Sequence, residues 1–295
     1  MMIIEWLKAI LYGIVEGITE WLPISSTGHL ILFEDLIPFA FTSDKAFMEH
    51  FSEMFQVVIQ LGAILAVVIL FWGKLWPFSR TKSQTEKRNT WSLWLKVVIA
   101  SLPAALIGIV GDKILEKLSG KDMDGWLYNS FVVAAMLIVY GVIFILIERV
   151  RRGQMARIES VEDISYLTAF WIGCFQTLSI VPGTSRSGST ILGAMMLGLS
   201  RTAGAEFSFF MAIPAMVGAS GIKLLDFFSW VGEANVTVPT DAWIVLAIGF
   251  LVAFAVSLMA IRFLMDFVKK HSFAPFGVYR IVLGAVVLVV WLLNR

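Results

Sequence analysis

The sequence predicts an all-α polytopic membrane protein. Hydrophobic residues make up 58% of the 295-residue chain, charged residues make up only 15%, and the mean hydropathy is +0.83. This composition is typical of an integral membrane protein and not of a soluble globule. Because the formal net charge is only +1, nothing indicates a nucleic-acid partner, and we expect membrane lipids around the chain.

Eight apolar regions follow one another along the chain, four in each half. They cover residues 3–33, 53–72, 92–111, 127–147, 166–199, 205–225, 242–262 and 276–293. About 20 helical residues cross a hydrocarbon core that is ~30 Å thick, so six of the regions have the length of an ordinary spanning helix. The first region of each half is longer, and a polar stretch interrupts it near its middle.

The two interrupted regions match each other at a constant offset of 160 residues. The matched pairs include Gly13 and Gly173, Glu16 and Gln176, Ser25 and Ser185, Thr27 and Ser187, and Gly28 and Gly188. A duplicated half with a broken helix at corresponding positions indicates an inverted-topology repeat with its site at the breaks. The sequence therefore predicts one membrane domain, residues 1–295, with repeat 1 at about 1–150 and repeat 2 at about 160–295.

Each interrupted region is predicted to enter the membrane and return as a re-entrant helical hairpin. Only about 13 apolar residues remain after Pro182, too few to span. If both regions re-enter, segments 73–91, 148–165, 200–204 and 262–275 share one side and carry most of the 23 lysines and arginines. The opposite side carries Lys8, Lys45, Lys113, Lys117, Lys121, Lys223 and Arg295. The positive-inside rule then places both termini outside.

The first break brings carboxylates, serines and a histidine together. Glu16 and Glu20 are four residues apart on one helical face, where they can act as general acid or base or bind a cation together. Ser25 and Ser26 follow a proline and are good N-caps for a short helix. His29 lies on the same face as this cap, where it can donate a proton, act as base for a serine, or attack phosphorus itself.

The second break, residues 182–190, is predicted to bind an anion. It places Arg186 inside an apolar region, at a cost of about 2.5–3.5 kcal/mol that an anion would offset. The arginine fork suits phosphate, and the amides that begin a half-helix attract it. The residues expected to bind with it are Gly183, Ser185, Ser187, Gly188, Ser189 and Thr190, with Ser25 and Thr27 of the first break and Gln60 of the second apolar region. Arg280, near a predicted helix end, is expected to reach the membrane surface.

These motifs resemble the undecaprenyl-diphosphate phosphatase family of the bacterial inner membrane, the bacitracin-resistance type. The resemblance covers essentially the whole chain and rests on Glu16-x-x-x-Glu20, on Pro23 to His29 and on Pro182 to Thr190. It implies hydrolysis of a polyprenyl diphosphate lipid, undecaprenyl diphosphate, to undecaprenyl phosphate and inorganic phosphate, which recycles the lipid carrier of peptidoglycan synthesis and gives bacitracin resistance. It also implies a divalent cation, Mg²⁺ or Ca²⁺, and a site open to the outer face of the plasma membrane.

We therefore expect the second break, with Arg186, to bind the diphosphate and stabilise its charge. Glu16 and Glu20 would hold the cation, or one of them would deprotonate a nucleophile. The nucleophile stays open between Ser26, His29 and water. A transporter or flippase for an anionic lipid or small anion is the alternative function, since the same architecture serves transport. The oligomeric state, a homodimer included, is also open.

Overall fold

The computed structural model describes residues 2–111, 113, 114, 117, 127 and 129–293, and most of these residues are helical. The helices are α1 Met2–Thr19, α2 Ser26–Leu36, α3 Lys45–Leu70, α4 Trp72–Leu75, α5 Gln84–Leu106, α6 Ser130–Val150, α7 Tyr166–Gln176, α8 Arg186–Met196, α9 Arg201–Glu233, α10 Thr240–Lys270 and α11 Ala274–Leu293. Over the described ranges the only extended pairing is an isolated bridge between Ile158 and Leu199. The predicted all-α class is confirmed. Lys121 and Arg295, which the charge argument uses, lie outside the described residues.

Five helices of the described chain are long and apolar enough to cross a membrane: α3, α6, α9, α10 and α11. The sixth predicted span, 92–111, corresponds to α5 and the π-helical turn Ile107–Gly111 that continues it. This helix is less apolar than the other five because polar residues fill its first two turns and Lys96 interrupts the rest. The two interrupted regions are the helix pairs α1–α2 and α7–α8, which supply the shorter elements.

Local sequence sets where the longer helices begin. Asp44, Ser83, Asn129, Ser165 and Ser200 each precede a helix, and each side chain accepts a hydrogen bond from the backbone N–H three residues ahead. Such caps satisfy one of the four N–H groups that a helix start leaves unpaired. The helices therefore start where the apolar periodicity meets a short polar side chain.

Hydrogen bonds between the two ends of each interrupted region show that both regions turn back. At the first, the Lys8 ammonium donates to the carbonyl of Pro38 at 2.6 Å, and the Ala40 N–H donates to Glu5 Oε2 at 3.0 Å. At the second, the carbonyl of Gly198 accepts from the N–H groups of residues 157 and 158, at 2.9 and 3.2 Å. The chain leaves each region where it entered. The predicted hairpin shape of both regions is confirmed.

The open ends of the two hairpins lie at opposite ends of α9. The second hairpin leads directly into Arg201, the first residue of α9. The first hairpin leads into α3, and Phe47 near the start of α3 packs against Phe227 and Trp230 near the end of α9. The hairpins therefore enter the bundle from opposite sides, and their tips meet inside it.

Matched glycines bring each hairpin against the other half of the chain. The first helix of the first hairpin, α1, packs along α10, and the first helix of the second hairpin, α7, packs along α5. A Cβ on Gly13 would lie 2.7 Å from the carbonyl oxygen of Gly249. A Cβ on Gly173 would collide with the carbonyl of Ala100. Both contacts therefore require a residue without a side chain, at positions that are 160 residues apart.

Two apolar cores lie beside the hairpins. The core around the first hairpin is rich in aromatic rings, with Tyr12, Phe39 and Phe55 in mutual ring contact. The larger core surrounds the second hairpin and includes Trp21 and Phe209, which meet edge to face at 5.2 Å. The polar tips are therefore held between two tightly packed apolar regions.

Candidate active site

The two hairpin tips have the same backbone geometry at the same place in each half. Ser25 has φ 74° and Ser185 has φ 70°, both in the left-handed region, which non-glycine residues enter at a cost of about 1–3 kcal/mol. Each serine also caps the helix that follows it. Ser25 Oγ accepts from the Gly28 N–H at 3.4 Å, and Ser185 Oγ accepts from the Gly188 N–H at 3.1 Å. The predicted cap at Ser25 is confirmed, and the second tip repeats it.

Glu20 connects the two tips. Its Oε2 accepts a hydrogen bond from the Ser26 hydroxyl at 2.8 Å, and its Oε1 forms an ion pair with Arg186 Nη2 at 2.9 Å. Arg186 Nη1 donates to the carbonyl of Ser208 at 2.8 Å, while the buried Arg186 Nε has no partner among the described residues. One carboxylate therefore joins a hydroxyl from the first break to a guanidinium from the second, and the Nε–H of that guanidinium is left for a further partner.

A cavity of about 610 Å³ lies at this junction, within the size range of small-molecule sites. Seven of the residues that the sequence singles out line it: Glu20, Ser26, Thr27, Gln60, Gly183, Ser185 and Arg186. Gln176 and Ser179 add polar groups, and the rest of the wall is largely apolar, from α5 and from residues 214–222 of α9. The cavity therefore offers a charged end at the tips and an apolar wall beside it.

Several residues of the second break form hydrogen bonds within the protein around Arg186. They are not among the described residues that line the cavity. The Ser187 hydroxyl donates to the backbone carbonyl of Glu20 at 3.1 Å. The Ser189 hydroxyl donates to the Tyr140 hydroxyl at 3.3 Å. The Thr190 hydroxyl lies 2.9 Å from the carbonyl of Arg186 and 2.6 Å from the hydroxyl of Ser208. Their hydroxyl groups are directed into the protein, so they hold the tip in place.

Gly188 also lies behind the tip. A Cβ at this position would lie 3.2 Å from Nη1 of Arg280. Gly188, which the sequence predicts to bind the anion, is therefore in close contact with another side chain of the protein.

His29 lies apart from the cavity wall. Its Nδ1 donates to the carbonyl of Ser25 at 2.7 Å, so in the neutral imidazole Nε2 accepts from the Tyr279 hydroxyl, also at 2.7 Å. The two rings stack with their centroids 5.7 Å apart. Both ring nitrogens are therefore engaged, and the carboxylate of Glu20, not the imidazole, receives the hydrogen bond of Ser26.

Glu16 is fully buried behind Glu20, and both of its carboxylate oxygens lack a partner in the described part of the chain. Buried polar atoms are normally satisfied. Within the described ranges, no group of three or more histidine, cysteine or acidic residues forms a metal site. However, Mg²⁺ is commonly held by one or two carboxylates together with substrate phosphates. The orphaned oxygens of Glu16 beside Glu20 fit that kind of site.

Sequence reasoning misplaced Arg280. It is completely buried, and it donates to the carbonyls of Pro23, Gly183 and Thr184 at the two tips. The expectation that it reaches the membrane surface is wrong, because it lies two turns inside α11 and the tips supply its partners. The signal was available: Arg280, like Arg186, is an isolated charge inside an apolar region.

Comparison with known proteins identifies relatives over nearly the whole chain. The family model of the bacitracin resistance protein BacA matches residues 9–286. A protein of Enterococcus faecalis named undecaprenyl-diphosphatase is 51% identical over 290 residues, covering 97% of each chain. Proteins of the same name from Latilactobacillus sakei and Acetivibrio thermocellus are each 49% identical, covering 98% and 99% of this chain and 98% and 100% of their own.

Proposed function

This chain belongs to the bacitracin resistance protein BacA family, and we propose that it hydrolyses undecaprenyl diphosphate to undecaprenyl phosphate and inorganic phosphate at the junction of its two hairpin tips. It is a multi-pass membrane enzyme, a phosphoric anhydride hydrolase. By regenerating the monophosphate carrier, it supports cell-wall synthesis. By consuming the diphosphate that bacitracin sequesters, it gives resistance to that antibiotic.

The observation that carries the proposal is the position of Glu20 between Ser26 and Arg186 at the polar end of the cavity. Phosphoryl transfer needs a nucleophile, an acceptor for its proton, and positive charge facing the transferring group. The three residues supply these parts in one hydrogen-bonded chain. The apolar wall of the cavity is suited to the first isoprene units of the lipid tail.

In the proposed reaction, Ser26 Oγ attacks the terminal phosphorus while its proton passes to Glu20 Oε2, 2.8 Å away. The bond from Oγ to phosphorus forms, and the bond from that phosphorus to the bridging oxygen breaks. Undecaprenyl phosphate leaves with the bridging oxygen. A water molecule then hydrolyses the phosphoserine and restores the Ser26 hydroxyl, with Glu20 mediating proton transfer, and inorganic phosphate is released.

Arg186 binds the terminal phosphate and stabilises the charge that develops on it. Its unpaired Nε donates to a phosphate oxygen, while its bonds to Glu20 and to the carbonyl of Ser208 keep the guanidinium oriented. Ser185, Thr27 and Gln60 line the same cavity and provide further hydrogen bonds to the diphosphate. The remaining serines and Thr190 act indirectly, by fixing the tip.

A divalent cation is part of the proposal, and the carboxylates of Glu16 and Glu20 would hold it. When bound, it would neutralise phosphate charge as a Lewis acid. The support is the pair of orphaned, fully buried oxygens on Glu16. Mg²⁺ or Ca²⁺ suits such an all-oxygen set.

We place the enzyme in the bacterial plasma membrane with both termini and the cavity opening on the outer side. The support is the excess of lysine and arginine on the opposite side of the bundle. The cavity is also lined by residues 101–108, at the end of α5 that this orientation places outside. The substrate tail would extend into lipid past the apolar residues of α5 and α9.

The experiment that tests this function measures phosphate release from undecaprenyl diphosphate by the purified protein in detergent micelles with Mg²⁺. We expect Ser26→Ala to lower kcat by at least about 1,000-fold and Glu20→Gln by about 10²–10⁴-fold. Ser101→Ala is the matched control, because Ser101 lines the same cavity but donates to the carbonyl of Val97 in its own helix. Release at the wild-type rate by Ser26→Ala would rule out the serine step.

A further inference from the structure

A second buried guanidinium, which the proposed mechanism does not use, lies behind the two tips. Arg280 Nη1 donates to the carbonyl of Pro23 in the first tip at 3.1 Å. Its Nη2 donates to the carbonyls of Gly183 and Thr184 in the second tip, at 2.6 and 2.9 Å. The side chain is 0% exposed. One guanidinium therefore holds backbone groups from both breaks.

The buried positive charge of Arg280 is stabilised by the hydrogen bonds that this geometry provides. Among the described residues Arg280 donates to carbonyl oxygens and not to carboxylates, and its guanidinium also lies over the ring of Tyr140 at 5.4 Å. An arginine buried in an apolar region is costly unless its hydrogen bonds are well formed. Those bonds form together only when the two tips have one particular separation and orientation. The arginine therefore penalises every other arrangement of the tips.

Arg280 is itself held by a rigid pair of helices. At the crossing of α6 and α11, a Cβ on Gly141 would lie 2.6 Å from the carbonyl of Gly277, and a Cβ on Gly277 would lie 2.7 Å from the carbonyl of Gly141. The two backbones are thus in direct contact. The neighbouring residues of this pair reach the hairpins, since Tyr140 bonds to Ser189 and Tyr279 bonds to His29. The α6–α11 pair therefore forms a frame against which both tips are set.

We propose that Arg280 is a positioning residue for the phosphatase reaction: it sets the register of the two tips so that Glu20 and Ser26 of the first face Arg186 of the second. This inference rests on the proposed function. Arg280 is not among the described residues that line the cavity, so it acts through the residues that do. A misplacement of about 1 Å at a reacting centre lowers rates about 100-fold, so a loosened tip should be visible in kcat.

The test measures kcat, KM and Tm for Arg280→Lys and Arg280→Met in the full-length protein. A lysine keeps the charge, but its single nitrogen cannot reproduce the two-nitrogen fork that spans both tips. We expect kcat to fall about 10-fold for the lysine variant and about 100-fold for the methionine variant, with KM changed less than about 3-fold. Arg262→Met is the matched control, because Arg262 is exposed on α10, and it should keep the wild-type kcat.

A double-mutant cycle separates positioning from general stability. If Arg280 acts by aligning Glu20, then Arg280→Lys added to Glu20→Gln should lower kcat further by less than about 3-fold, because the aligned group is already disabled. Effects that multiply fully would overturn the inference, as would wild-type kcat in Arg280→Lys. If Arg280→Met does not fold, the lysine variant and the cycle still decide.

The two proposals fail in different ways. Absence of phosphate release by the wild-type protein and by Arg262→Met overturns the proposed function and this inference with it. A different result overturns the positioning role alone. In that case the wild-type protein and Arg262→Met release phosphate normally and Ser26→Ala does not, but the Arg280 variants keep the wild-type kcat.

Discussion

Replacing Arg186 by lysine tests whether the three nitrogens of its guanidinium have three separate partners. Nη2 pairs with Glu20 at 2.9 Å, Nη1 bonds to the carbonyl of Ser208 at 2.8 Å, and Nε is left for phosphate. A lysine has a single side-chain nitrogen, which cannot occupy the positions of all three guanidinium nitrogens at once. At least one charge-assisted hydrogen bond is lost in the transition state, worth about 1.5–3 kcal/mol, which corresponds to roughly a 10- to 150-fold loss in kcat.

The assay is the initial rate of phosphate release from undecaprenyl diphosphate over a range of substrate concentrations, with Tm measured on the same samples. Arg201→Lys is the matched control, because Arg201 forms a two-point ion pair with the buried Glu148, and neither residue is among the described residues that line the cavity. We expect it to lower Tm and to leave kcat near the wild-type value. An unchanged kcat in Arg186→Lys, or an equal loss in Arg201→Lys, would refute the reasoning.

Three further predictions concern packing, a buried ion pair and the cation. Gly141→Ala should lower the free energy of unfolding by about 1–3 kcal/mol, since its Cβ would lie 2.6 Å from a carbonyl of α11, while Gly73→Ala, with nothing within 4 Å, should leave Tm unchanged. Glu148→Ala should lower the free energy of unfolding by about 3 kcal/mol, the low end for a broken buried ion pair, because its partner Arg201 is 37% exposed. Asp266→Ala is the control: Asp266 belongs to an exposed ion pair, so Tm should not change. Glu16→Gln should raise the Mg²⁺ concentration for half-maximal phosphate release by at least about 10-fold; an unchanged Mg²⁺ titration would remove Glu16 from the cation site.

The fold was largely predictable because a membrane restricts the length of its spanning helices and the placement of charged residues. Span length, the interruption of two regions, and the uneven distribution of lysine and arginine together predict re-entrant hairpins, and the structure shows the hairpin shape of both regions. The inverted repeat itself stays a prediction, supported by the similar φ angles of Ser25 and Ser185, 74° and 70°. Hydropathy predicted α5 less well, since its first two turns are polar.

The site was predictable in its composition but not in its pairing. Spacing places Ser26 and His29 on one helical turn, but it does not say which neighbour faces them. Tyr279, 250 residues further along the chain, engages the imidazole, and Glu20 engages the serine. The contacts of Arg280 were missed for the same reason, since its partners are backbone carbonyls, which no motif records.

The junction of the tips also has a consequence for how the protein is made. Glu20 and Arg186 are separated by 166 residues, and at 5–20 residues per second the ribosome takes roughly 8 to 33 s to go from one to the other. During that interval the first hairpin carries carboxylates without their guanidinium, which is unfavourable inside a bilayer. We therefore expect the first hairpin to reach its final depth only when the second arrives from the opposite side, with the Glu20–Arg186 ion pair as one of the contacts that couple membrane insertion of the two halves.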